Sequence, residues 1–241
     1  MPDNPDYSKY LGTSVRFSLQ DMGELAARLG SISKYDRRGE IIHADDFRHG
    51  QGIWQSTLNG AGSLIALTAL PNYYSPYCMK FSPSSVASSY AGVSAFFGGT
   101  FDGKIGIESG FIIEDNTDQL NINIALYTGA VLCQPRLQWD FGTGEVRIYD
   151  NTGSYVVIDD RVWGSGSSNV FYPVKFVFDP STLKYVRLRI SNVEYDISGY
   201  SFFSGVSTNT LLFTLTVRHD YVSKAALVAY NSYNILTCNE P

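Results

Sequence analysis

The 241 residues carry a formal net charge of −5 and are only 17% charged, with Tyr, Ser, Asn, Thr and Gly supplying much of the polarity. So acidic a chain lacks the basic footprint that a nucleic acid or an anionic membrane demands. Its length suits one large β domain, which at this size buries enough surface to need neither disulfides nor a metal for stability.

In chain order, residues 1–17 read as an extended arm, because Pro2 and Pro5 prevent an early helix. Ser18-Leu-Gln-Asp21 fits a capping box, Met22, Leu25, Ala26 and Leu29 then share one helical face, and Gly30 is a natural stop. A helix this short must dock on something to persist. Tyr35–Gly39 predicts a turn into a first strand, Glu40–Asp45. The expected organisation is an arm, helix and turn over 1–39, followed by a single β domain over 40–241. Met1–Lys9 shows neither the basic region nor the apolar region of a secretory signal, and no apolar run reaches the length of a membrane helix. The expected location is a virion, or outside a cell without a signal peptide of that kind.

Beyond Asp45 the pattern is strands. Ser63–Leu70 predicts a buried apolar strand, followed by Tyr77–Phe81 and Ser94–Phe97. Lys104–Glu114 alternates through Ile105, Ile107, Ser109, Phe111 and Ile113, and Asn121–Leu126 places Ile122, Ile124 and Leu126 on one face. Leu137–Phe141, Glu145–Tyr149 and Ser154–Ile158 are separated only by Gly142–Gly144 and Asp150–Gly153. A period of two with tight turns is what antiparallel strands need. Val174–Phe178, the turn Asp179–Thr182 and Lys184–Ile190 predict a hairpin, with Val186, Leu188 and Ile190 inward and Arg187 and Arg189 outward. Leu211–Arg218 and Ala225–Tyr230 complete the set. With no solenoid or propeller period, the expectation is an all-β fold, two antiparallel sheets packed as a jelly-roll sandwich.

Ala44–Phe47, Trp54, the apolar strand with Tyr77–Phe81, then Phe171–Asp179 and Tyr185–Ile190, and Ala225–Asn231 as a final strand resemble the concanavalin A-like superfamily of lectins, laminin-G domains and carbohydrate-binding modules. Gly23–Gly30 with Tyr35–Gly39 is similar to the leader of uncharacterised jelly-roll proteins of bacteriophage virions. Many such folds hold a structural Ca²⁺ between an early acidic loop and a late Asp. The resemblance implies Asp45 and Asp46 for the early half and Asn231 at the late position, where the amide weakens the case for an ion that prefers several carboxylates. The competing reading is that Asp45 and Asp46 cap a turn.

Signals for catalysis are sparse. Glycosidases of this fold resemble one another in a Glu-x-Asp-x-x-Glu strand. The nearest string, Glu194-Tyr-Asp196-Ile-Ser-Gly199, lacks the third acid, and both carboxylates are expected to face solvent. His43, Asp45, Asp46 and His49 form the densest group of metal donors, conceivable for Zn²⁺ or Mn²⁺. No nucleophile elbow or phosphate loop occurs. Cys78, Cys133 and Cys238 are far apart and odd in number, which predicts buried or half-buried free thiols. Tyr73, Tyr74 and Tyr77, and Trp163 beside a Gly-Ser loop, offer flat rings that stack on sugars or anchor a protein interface. The expected role is non-catalytic: a structural or attachment component of a bacteriophage virion, decorating a capsid or associated with a tail. It would work through self-association or contacts with other virion proteins, and through glycan contacts. A carbohydrate-binding module and a glycoside hydrolase are the alternatives.

Overall fold

The computed structural model describes residues 38–69, 76–99, 103–113, 119–161, 170–221 and 228–241. The arm and helix expected over 1–30 lie outside these residues. In chain order the strands are β1 Glu40–Asp45, β2 Gln55–Asn59, β3 Leu64–Thr68, β4 Cys78–Ser82, β5 Tyr90–Gly98 and β6 Ile105–Ile113. They continue with β7 Gln119–Tyr127, β8 Val131–Gln134, β9 Arg136–Asp140, β10 Glu145–Tyr149, β11 Tyr155–Asp159 and β12 Val170–Asp179. Last come β13 Lys184–Ile190, β14 Val193–Asp196, β15 Phe203–Val206, β16 Leu212–Asp220 and β17 Ala229–Cys238. No helix occurs among the described residues.

These strands form two antiparallel sheets. The eight-stranded sheet runs β14-β13-β12-β6-β17-β4-β3, with β1 also on β17. The nine-stranded sheet runs β11-β10-β9-β7-β16-β5-β2, with β8 on β7 and β15 on β8. Long crossovers between sheets, rather than hairpins alone, make this a jelly-roll sandwich, as the alternating pattern predicts. The core lies between the inner faces, where Ile122, Ile124, Leu137, Trp139, Ile148, Leu215 and Val217 of one sheet meet Ile107, Phe111, Val174, Phe176 and Leu188 of the other.

Four expectations need correction. Within the expected Ser63–Leu70 strand β3 forms over Leu64–Thr68, but as the edge of its sheet it has one strand neighbour, leaving Leu64 55% and Leu67 42% exposed. The last strand starts later than expected, at Ala229, and extends to Cys238. Asn231 therefore lies inside it. The Asn231 and Asn234 amides bond one another across a bulge there and so remain in the sheet. Among strands of five residues or fewer, β2, β8, β14 and β15 escaped the pattern because too few residues alternate in each. Finally, Arg187 points outward but is buried.

The cause is a closed ionic cluster on the outer side of the eight-stranded sheet. Lys175 and Arg187, from β12 and β13, both pair with Glu240, whose side chain is wholly buried. The Glu240 carboxylate also accepts the Thr237 hydroxyl, while Lys175 Nζ donates to the Arg38 carbonyl at 2.8 Å and Arg187 Nη1 to the Pro241 carbonyl at 2.7 Å. Glycine makes room for it: a Cβ on Gly106 would stand 2.6 Å from Glu240 Oε1. The three thiols are free as expected, with Cys78 and Cys133 buried, and burial pushes the Cys78 thiol up to about 11.

Deleting one member of a buried ion cluster strands the other charges. Glu240→Ala is expected to cost about 3–5 kcal/mol in urea denaturation; an unchanged midpoint would show that the cluster does not hold this face.

Candidate functional site

The residues between the core positions of the nine-stranded sheet point away from the sandwich, and the strand register lines them into rows. One row crosses β2, β5, β16, β7, β9 and β10 as Thr57, Gly92, Arg218, Asn121, Gln138 and Arg147. A second carries Ser94, Thr216, Asn123 and Arg136, and a third Tyr90, Asp220, Gln119, Asp140 and Glu145. Outer faces of sheets are usually furnished with Lys, Glu, Ser and Thr. Here amides, arginines and tyrosines take their place.

These groups form one bonded floor. Gln138 Nε2 donates to Asn121 Oδ1 at 3.2 Å and to Gln119 Oε1 at 3.1 Å. Gln119 Nε2 donates to Asp140 Oδ2 at 3.0 Å, and Arg147 Nη1 donates to both Gln138 Oε1 and Asp140 Oδ2 at 3.2 Å. Arg147 also pairs with Glu145. At the other end Arg218 binds Asp220 at 2.8 Å and lies over the Tyr90 ring at 4.7 Å. A Cβ on Gly92 would come within 2.3 Å of the Arg218 Cβ, so only glycine lets that side chain lie where it does. Burial pushes the Asp220 carboxyl up, against the opposing pull of Arg218.

The face is concave. Tyr155 on β11 and Arg218 on β16 are separated by four strand spacings, about 19 Å on a flat sheet. Yet Arg218 and Asp220 are close enough to act on the Tyr155 hydroxyl, whose ionisation is raised chiefly by burial and lowered by Arg136. The long side chains of Tyr155, Arg218 and Asp220 thus converge over this face, as they do where a sheet curls towards it. Asn121, Gln138 and Asp140 are accordingly buried, although they point outward.

One wall is aromatic. Tyr149 lies 5.2 Å from Tyr155 and 6.0 Å from Phe203, and the Arg136 guanidinium sits 4.5 Å over the Tyr149 ring. A side chain from the opposite sheet fixes this wall. Tyr185 of β13 crosses the core, and its hydroxyl accepts the Arg136 amide at 3.0 Å and donates to the Tyr149 carbonyl at 2.8 Å.

The residues singled out from sequence lie elsewhere. Tyr73, Tyr74 and Trp163 fall outside the described residues. Tyr77 is exposed just before β4, on the eight-stranded sheet, away from the concave face. Asp45 Oδ1 accepts the Phe47 amide at 2.8 Å and Oδ2 the Trp54 indole N–H at 2.9 Å, holding a turn in which Phe47 has a φ of 60°. Asp46 pairs with Arg48. Asn231 accepts from and donates to Asn234, and donates to the Gly110 and Tyr233 carbonyls. A calcium ion needs six to eight oxygens converging on one point. Here the carboxylate oxygens of Asp45 each face an N–H, and the strand residue opposite Asp45 is Asn234 rather than Asn231. The three residues as placed do not fit the ion; the two acids cap a turn.

His43 packs 5.3 Å from Phe97 and 6.4 Å from Trp54, with its charged form disfavoured first by burial, while His49 is exposed. Among the described residues no three of His, Cys, Asp and Glu group as metal ligands. Glu194 and Asp196 are exposed on the edge strand β14, Glu194 paired to Arg38. Sequence reading passed over Asn121, Gln138, Arg147 and Arg218 because it treated the polar phase of each strand as ordinary solvent face.

No family model matches the sequence, and no curated protein does. Solved structures do. An endo-β-1,4-glucuronan lyase from the fungus Trichoderma reesei superposes with a TM-score of 0.55 at 7% identity, covering 83% of this chain and 96% of that one. The cellulose-induced protein Cip1 gives 0.52 at 9% identity, over 80% and 96%. The potassium-bound carbohydrate recognition domain of Emp46p gives 0.50 at 11%, over 80% and 92%. The fold is the concanavalin A-like jelly roll. At such low identity the likeness is one of fold. The similarity to phage virion leaders rests on residues 23–39, nearly all outside the described residues.

Tyr185→Phe keeps the core ring and strips both backbone partners. It is expected to destabilise the protein by about 1–3 kcal/mol and to speed hydrogen exchange at the Arg136 amide. Unchanged exchange there would show that the hydroxyl does not pin the wall.

Proposed function

We propose that this chain binds glycans along the concave outer face of the nine-stranded sheet, and does so without turning them over. The observation that carries this reading is the bonded floor of Asn121, Gln138, Gln119, Asp140 and Arg147 beside an aromatic wall. A sugar presents hydroxyls that both donate and accept, together with a C–H face. The half-buried Gln119, Glu145 and Arg147, held in place by the buried floor beneath them, answer the first, and a standing ring answers the second. Tyr155, 38% exposed at the rim, is the ring open to such a ligand. The superposed carbohydrate recognition domain and glucuronan lyase, by what their names state, lend the reading support from shared architecture. Binding without turnover is favoured because Asp140 and Glu145 both hold Arg147, which draws them away from acid–base work.

Tyr155→Ala is expected to weaken binding at least tenfold, about 1.4 kcal/mol, on an oligosaccharide array followed by titration calorimetry. A folded wild-type protein that binds no glycan on the array ends this reading, and release of shortened products would replace binding with catalysis.

A second reading, the virion structural or attachment role, draws on a different observation. Edge strand β3 exposes Leu64 and Leu67, and edge strand β15 leaves Val206 95% exposed. Open strand edges with apolar side chains are suited to pairing with another copy. Light scattering behind a sizing column is expected to give a multiple of the 26.7 kDa chain mass, reduced in Leu64→Ser/Leu67→Ser. A monomer removes the support for assembly through these edges.

A further inference from the structure

The concave face holds three arginines and three carboxylates, but they do not pair one to one. Arg147 takes both Asp140 and Glu145, and Arg218 takes Asp220. Arg136 is left without a carboxylate. Its side chain donates to the Gln134 amide oxygen at 3.1 Å and to the Tyr155 hydroxyl, and its guanidinium lies over the Tyr149 ring; no ion pair reaches it among the described residues. Beside it in the register, Asn123 keeps a buried Oδ1 with no hydrogen-bond partner. The result is a guanidinium with no carboxylate partner, half-buried between Tyr149 and Tyr155 on the outer face of the sheet, on a backbone that Tyr185 holds from behind.

We propose that this face takes an acidic polysaccharide, with the carboxylate of a uronate residue seated on Arg136. The inference rests on the glycan-binding reading and names its ligand class. A guanidinium offers parallel N–H donors that match the two oxygens of a planar carboxylate. Stacking on Tyr149 holds its plane fixed, so little freedom is lost when a ligand forks onto it. Tyr155, on the strand beyond Tyr149, would cover the sugar ring. Arg147 and Arg218 cannot serve in the same way, because a ligand carboxylate there must compete with one already bound.

The test is calorimetric titration of the full chain with size-matched oligosaccharides of three kinds: oligouronates (β-1,4-glucuronan and polygalacturonate fragments), neutral β-1,4-glucans, and sulfated glucans. Wild type is expected to prefer at least one oligouronate over its neutral counterpart by about ten- to hundredfold, the scale of one charge-assisted pair. That preference should disappear in Arg136→Gln and be reduced in Arg136→Lys, which keeps charge but not the fork. Thermal unfolding checks that both variants fold, and if Arg136→Gln does not, the lysine variant and the salt dependence of the wild-type preference carry the test. Equal or better binding of neutral glucans, or a preference kept in Arg136→Gln, overturns the carboxylate assignment and leaves glycan binding standing. Binding confined to sulfated glucans overturns it in favour of a tetrahedral anion. No binding to any of the three classes overturns both readings.

Discussion

Glu240 sits at the point on which one whole side of this sandwich depends. A carboxylate with no exposed surface is tolerable only if every oxygen lone pair is met and its charge is balanced. Lys175, Arg187 and Thr237 do both, from three different strands. The carbonyls of Arg38 and Pro241, at the two ends of the described residues, each accept one further hydrogen bond, from Lys175 and Arg187 respectively. On the outer face of the eight-stranded sheet Glu108, Ile112, Lys175 and Arg187 are all buried. Glu108 is tied in by the Tyr233 hydroxyl at 2.9 Å. The outer face of the nine-stranded sheet carries instead a hydrogen-bonded network of amides and arginines.

The two sheets are not independent, however. Tyr185 carries the packing of the eight-stranded sheet into the wall of the nine-stranded one, since its hydroxyl holds the backbone of Arg136 and Tyr149 while its ring packs edge-on to Phe202 at 5.6 Å. A phenol inside an apolar core must find partners, because an unpaired buried hydroxyl is costly. Here those partners are the two residues whose side chains emerge on the far side. The precision of the wall is therefore set in the core, and a ligand meets side chains whose backbone is already anchored.

How much of this was legible in the sequence follows from which signals are local. Period-two alternation in β6, β7, β9, β10, β13 and β16 revealed the sheets, because each strand states its own inside and outside. It could not reveal strand order, so β3 looked buried when it is an edge, and Arg187 looked solvated when Glu240, 53 residues away, covers it. The aromatic loops drew the search for a site because rings in loops are conspicuous. Asn121, Gln138 and Arg147 each sit unremarkably between two apolar residues and become a floor only when the register places them side by side. Asn231 misled in the other direction, suggesting a metal ligand while its amide serves a bulge inside β17.

The same distinction between bulk and local properties governs the charge argument. A net charge of −5 excludes a partner that needs a broad basic surface, because many phosphates must be neutralised at once. It does not exclude a ligand that presents one carboxylate per sugar to one guanidinium. Charges farther away than the Debye length, about 8 Å at physiological salt, are largely screened, so the acidic remainder of the molecule slows the encounter more than it weakens the seated contact. On the concave face the balance is set by pairing. Two arginines are neutralised by three acids, and the third, stacked and anchored, is left to be neutralised from outside.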